Sequence, residues 1–249
     1  MIIKDDGIRL SAVLEMPDDS PETCPLVIVI HGFTSNKERP YTLATCRAMR
    51  DAGFATLRVD MYGHGESDGE FQNHTLFKWL SNAMAVIDYA RKLDFVTDLY
   101  LSGHSQGGLT AILAAGIESD RIRGLILRAP AIMIPDGARK GELLGESFDP
   151  DNVPDIVPTI KGLKLDGNYI RTAQMIQVED AIDRFTGPVL IVHGENDDVV
   201  PLRYSVETSK RYRNSTLEVL AGDTHSFDYH QDQMADVIRD WLRNLEDRK

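Results

Sequence analysis

Residues 99–109 read Leu99-Tyr100-Leu101-Ser102-Gly103-His104-Ser105-Gln106-Gly107-Gly108-Leu109. The run 99–102 is apolar, and segment 106–117 repeats apolar residues at three- and four-residue steps, so a strand ends and a helix begins around Ser105. Across that junction, Gly103-His104-Ser105-Gln106-Gly107 matches G-x-S-x-G, the pattern of a serine presented on a sharp strand-to-helix turn. Side chains at Gly103 or Gly107 would collide with the neighbouring strand and helix. The serine also lies at a helix N-terminus, where free N–H groups and the macrodipole favour developing negative charge.

Working outward, five further short runs read as buried strands: 26–30, 55–59, 124–127, 189–193 and 216–220. Helical spacing occupies 42–52, 76–92, 203–212 and 234–245. This alternation predicts an α/β fold with right-handed crossovers, a mostly parallel central sheet and flanking helices. The N-terminus departs from it, because Ile2-Ile3 and the run 8–14 flank Asp5-Asp6-Gly7, which predicts an antiparallel hairpin at the sheet edge. A second departure runs from Ala131 to Gly187, where Pro135, Pro150, Pro154 and Pro158 break any long helix. Connections beyond about 15 residues are uncommon in compact domains unless functional or disordered. The aromatic and apolar residues Phe148, Tyr169, Ile170, Met175 and Ile176 argue against disorder. Residues 131–187 are therefore expected to be an inserted lid subdomain, with 1–130 and 188–249 forming the core.

A serine hydroxyl needs a base within hydrogen-bond reach and a third group to orient that base. Behind a serine on such a turn, the acid and then the histidine are sought on loops after later strands. Of the downstream histidines, His193 closes a strand ahead of the candidate acids and His230 starts the last helix. His225, between the final strand and the final helix, is left as the base. Asp197 and Asp198 both follow the strand ending in His193, and spacing does not choose between them. Asp223 is too near His225 in sequence to reach across easily.

Composition narrows the partners. The 249 residues carry 27 Lys and Arg against 39 Asp and Glu, a formal net charge of −12 that repels nucleic acid. No apolar run reaches the roughly 20 residues of a membrane span, so no membrane partner is expected. The first residues show no export signal, which reads as a cytoplasmic location. Cys24 and Cys46 have neither disulfide-framework nor zinc spacing and read as plain thiols. No dinucleotide, phosphate-loop or zinc-protease motif occurs, and neither a cofactor nor a metal is expected. His64 and Ser67 in the Gly-rich loop read as structural, and Trp79 and Trp241 as packing residues.

The ordered set His31-Gly32-Phe33, Asp60-Met61-Tyr62-Gly63-His64-Gly65-Glu66-Ser67, Gly103–Gly107, His193-Gly194-x-x-Asp197 and Gly222-x-x-His225 resembles the α/β-hydrolase superfamily over nearly the whole chain. The resemblance implies Asp197 as the acid, and the backbone amides of Phe33 and Gln106 as an oxyanion hole. The residues Asp68-Gly69, His74–Leu80, Gly108-Leu109, Gly141–Gly145 and Gly167–Arg171 are further similar to bacterial cinnamoyl (feruloyl) esterases. That likeness implies a serine carboxylesterase acting on feruloyl, caffeoyl or coumaroyl esters, with Tyr169 against the phenolic ring and Asp136 as the nearest candidate for an acidic lid contact. A general short-chain carboxylesterase or monoacylglycerol lipase is the alternative. The expected partner is a small aromatic ester, with a homodimer as the candidate assembly.

Overall fold

The computed structural model describes residues 1–159 and 162–246. Its centre is an eight-stranded sheet. The N-terminal hairpin comprises β1 (Ile2–Asp5) and β2 (Ile8–Glu15), which pair antiparallel. Beyond it come β3 (Cys24–Ile30), β4 (Ala55–Val59), β5 (Val96–His104) and β6 (Ile122–Arg128). Two strands of the second half, Val189–Gly194 and Ser215–Leu220, complete it. Numbered in chain order with the four short strands described below, these two are β11 and β12, and the spatial order is β1-β2-β4-β3-β5-β6-β11-β12. Every pairing from β4 to β12 is parallel, whereas β2 meets β4 antiparallel.

Both faces of this sheet are covered, which is why its central strands are apolar without interruption. On β3, Leu26, Ile28 and Ile30 enter one core while Val27 and Val29 enter the other. Helices α1 (Pro40–Asp51) and α8 (Gln231–Glu246) cover the second face, burying Cys46, Met49, Met234, Ile238 and Leu242. Helices α2 (Leu76–Ala90) and α3 (Gln106–Ile117) cover the first. Helix α7 (Leu202–Arg211) connects β11 to β12. The last strand differs from its expectation as a fully buried element: Thr216, Glu218 and Val219 are exposed, because β12 is an edge strand paired only with β11.

The 131–187 segment holds more regular structure than its sequence suggests. It contains α4 (Ile134–Lys140), the strand pairs β7 (Glu142–Leu143) with β8 (Glu146–Ser147) and β9 (Ile156–Pro158) with β10 (Lys164–Asp166), then α5 (Asn168–Gln174) and α6 (Val178–Arg184). Helix α6 lies against α3, so closely that a Cβ on Gly116 would come within 2.6 Å of the Ala181 Cα. It thus packs with the core, and Ile134, Leu143, Val157, Leu165 and Tyr169 from the earlier part of the segment join the same hydrophobic cluster.

Candidate active site

The loops that carry the sequence motifs all leave the carboxyl ends of the parallel strands, where open α/β sheets form their ligand crevices. Ser105 sits between β5 and α3 with φ 55° and ψ −121°, a strained conformation for a residue with a side chain. The backbone is over-determined there. Ser105 N–H donates to the Arg128 carbonyl at 2.9 Å, and the Ser105 carbonyl accepts from Leu109 and Ala131 at 3.1 and 3.0 Å. A Cβ on Gly103 would run into the Gly107 carbonyl, and one on Gly107 into the carbonyls of Ile30 and His31. Only glycine lets strand, turn and helix approach this closely.

Asp197 and His225 meet across loops 28 residues apart, with Nδ1–H of the imidazole donating to Oδ2 at 2.7 Å. The carboxylate is buried and accepts on every side: Oδ1 takes the Val199 and Val200 amides at 2.9 and 2.8 Å, and Oδ2 also lies 3.1 Å from His193 Nε2. Burial opposes the charge, but the hydrogen bonds from His193, His225 and Val200 hold the carboxyl well below the usual range. Above the His225 ring lies His104, at 4.7 Å between centroids, whose Nε2–H donates 2.8 Å to the His225 carbonyl. Burial, with His225 and Arg128 nearby, holds the His104 imidazole far below its ordinary pKa and therefore neutral.

Ser105 and His225 open onto one cleft of about 720 Å³. One wall is apolar, formed by Ala131, Met133, Ile134, Leu143, Leu144 and Tyr169, and the rim carries Arg39, Asp198, Asp228 and Gln231. Phe33 and Gln106 also line it, and neither backbone amide has a backbone acceptor among the described residues. Gln106 opens α3, so its N–H has no carbonyl one turn back. The Phe33 loop is anchored by His31, whose Nδ1–H donates to the Gly32 carbonyl at 2.8 Å while Nε2 accepts from Met61 N–H at 3.1 Å. A serine beside an acid-oriented imidazole and two free amides is an arrangement suited to acyl transfer.

A family model described as serine aminopeptidase S33 matches residues 21–157, more than half of the chain. The chain belongs to this family of α/β hydrolases. It is 53% identical to Est1E from Butyrivibrio proteoclasticus in a structure with ferulic acid bound, with 98% of each chain covered and a TM-score of 0.97. Human protein ABHD12B is 26% identical over 195 residues, 77% of this chain, and the chain spans 51% of that protein's length. Bovine mitochondrial palmitoyl-protein thioesterase ABHD10 is 25% identical over 221 residues, 86% of this chain and 69% of that protein.

Within this hydrolase, Ser105, His225, Phe33, Gln106 and Tyr169 come together at the cleft, with Asp197 directly behind His225. Asp136 does not join them. Helix α4 turns Ile134 and Ala138 inward, four residues apart, and Asp136 falls between them on the helix, pairing with Lys140 at 2.6 Å on the exposed side. Asp198 is exposed at the cleft rim, and Asp223 is buried, accepting from the amides of Thr224, Tyr229 and His230. His64 and Ser67 hold loops: Ser67 Oγ bridges the Asp60 carbonyl and the Ser11 amide at 2.5 and 2.8 Å. His104 and His193 also belong to the site: His104 bonds to a loop 121 residues away, whereas His193 meets Asp197 and Val200 on the loop that follows its own strand. The local signals for them are that His104 directly precedes Ser105 and that His193 stands four residues before Asp197. Among the described residues, no helix is long and apolar enough to cross a membrane and no cluster of His, Cys, Asp and Glu could hold a metal ion.

Proposed function

We propose that this hydrolase is a serine carboxylesterase acting on hydroxycinnamoyl esters through an acyl-enzyme. The observation that carries the reading is the 53% identity, across 98% of both chains, to a protein whose structure holds ferulic acid. The apolar wall of the cleft supports it, since it offers a flat acyl group a water-excluding surface beside Ser105.

In this reading Ser105 Oγ attacks the ester carbonyl as His225 Nε2 takes its proton. Asp197, bonded to Nδ1–H, fixes the tautomer that leaves Nε2 free and stabilises the imidazolium that forms. The Phe33 and Gln106 amides receive the oxyanion, and each such donor lowers the barrier by about 3–4 kcal/mol. His225 then protonates the departing alcohol, and a water activated by the same imidazole releases the acid. The stretch of the 131–187 insertion ahead of α6 is the lid, supplying the wall from Ala131 to Tyr169.

Turnover of methyl ferulate by wild type and Ser105→Ala tests the chemistry: the variant keeps no more than a few per cent of the rate, and higher retention overturns the serine mechanism. Specificity is tested by kcat/KM on methyl ferulate, 4-nitrophenyl butyrate and a monoacylglycerol. The aromatic ester is expected to lead, and preference for either aliphatic ester rejects the hydroxycinnamoyl reading.

A further inference from the structure

Tyr169 is fully buried in the cleft wall, and its hydroxyl does not point to open space. It donates 2.7 Å to Oε1 of Gln106, across 63 residues of sequence. A phenol has one proton to give. Burial pushes the Tyr169 hydroxyl far above the usual tyrosine range, so that proton stays in place and stays committed. On the other side of the carboxamide, Gln106 Nε2 is buried with no partner among the described residues. Among the described residues, Tyr169 therefore supplies the one hydrogen bond to the buried Gln106 side chain.

Gln106 is fixed at its main chain as well, where its carbonyl accepts from Thr110 Oγ1 at 3.0 Å. The two bonds fix the residue at both ends, and its amide is one of the two free donors at the cleft. The other donor belongs to Phe33, whose ring lies 6.3 Å from the Tyr169 ring. His74 closes the group, 5.2 Å from Tyr169 and 5.5 Å from Phe33 between centroids. One residue of the 131–187 segment thus contacts both residues whose amides are assigned to the oxyanion hole.

We infer that Tyr169 is a positioning residue: its hydroxyl, through the Gln106 carboxamide, sets the oxyanion amides, independently of any phenol on the substrate. This rests on the oxyanion assignment above. A ring contact between Tyr169 and an aromatic acyl group is compatible with it, because the proton that holds Gln106 is not needed for that contact. The insertion would then tune the rate for every ester and not only select among acids.

Tyr169→Phe removes the hydroxyl and keeps the ring. Its kcat is to be measured on methyl ferulate, on methyl cinnamate, which lacks a phenol, and on 4-nitrophenyl butyrate, which lacks a ring in the acid. Active sites are counted by end-point titration with a fluorophosphonate, so unfolded protein does not enter the rate. The expected result is a fall in kcat of about tenfold on all three esters with KM little changed, the size of one well-made hydrogen bond. Gln106→Met should show the same loss, and Tyr169→Phe should add nothing in its background. A loss confined to methyl ferulate and carried by KM overturns the proposal, as does unchanged kcat or full additivity of the two variants. Inactivity on both aromatic esters would reject the hydroxycinnamoyl reading, while the butyrate arm would still decide the role of Tyr169.

Discussion

His193 Nε2 lies 3.1 Å from Asp197 Oδ2, on the same carboxylate oxygen that His225 Nδ1 reaches at 2.7 Å. Both groups facing His193 Nε2 are acceptors, the carboxylate and the Val200 carbonyl at 2.9 Å, so this nitrogen carries the hydrogen. Its Nδ1 meets Ser205 Oγ at 2.7 Å, which locks the ring in β11. His193 therefore orients the acid as the acid orients His225.

Two substitutions grade this chain of hydrogen bonds. Asp197→Asn should lower kcat about ten-thousandfold, because an amide in place of the carboxylate favours the wrong His225 tautomer. His193→Gln should cost about tenfold or more, the scale of a hydrogen bond to a charged group, with KM little changed. Steady-state kinetics on methyl ferulate, per titrated active site, check both. Unchanged kcat in His193→Gln would remove the orienting role.

Stability should begin to fall in mild acid, before the carboxylates start to titrate. An unfolded histidine titrates near pH 6.5. Burial lowers His31 to about 3, His64 to about 4 and His74 to about 3, with mutual repulsion between neighbouring imidazoles adding to the effect at His31 and His74. The unfolded chain therefore binds more protons between those values, so the stabilisation is complete above about pH 6.5 and declines as the pH drops toward about 3. Urea unfolding at pH 7.5, 6, 5 and 4.5 should show the decline, and His74→Phe should make it shallower by up to about 1.4 kcal/mol per pH unit. An equal slope in both proteins contradicts this.

Lys37 and Asp60 form a buried pair at 2.7 Å, their side chains 4% and 1% exposed, which ties the loop after β3 to the loop after β4. Asp60 Oδ1 also accepts from the Lys37 amide at 2.7 Å, and Oδ2 from the Glu66 amide at 2.9 Å. Lys37→Met leaves a buried carboxylate without its counter-charge and should destabilise by about 3–5 kcal/mol. Adding Asp60→Asn should recover part of it. Gly65→Ala should act on the same pair, since φ is 55° there and a Cβ would collide with the Asp60 carboxylate. Thermal melts of the four proteins, wild type included, give the comparison.

Asp136→Ala should leave kcat/KM on methyl ferulate within about twofold of wild type, because an exposed pair such as Asp136 with Lys140 does little beyond its own surface. A larger loss, specific to phenolic esters, would mean that Asp136 reaches the substrate after all.

Outside residues 131–187, the alternation of strands and helices, the N-terminal hairpin and the turn that bears Ser105 were all legible in the amino-acid sequence. These are local consequences of apolar periodicity, turn chemistry and the two glycines that a tight strand-to-helix crossing demands. Asp197 and Asp198, adjacent in sequence, look alike to such reasoning. Tertiary structure separates them, since only Asp197 receives His193, His225 and two amides, while Asp198 faces solvent. Likewise the contact of Tyr169 with Gln106 and the outward turn of Asp136 depend on how α4 and α5 settle over the cleft. Periodicity identifies which face of a helix is apolar. It carries no information about which distant loop will supply a hydrogen-bond partner, because that pairing exists only once both loops are held at the same end of the sheet.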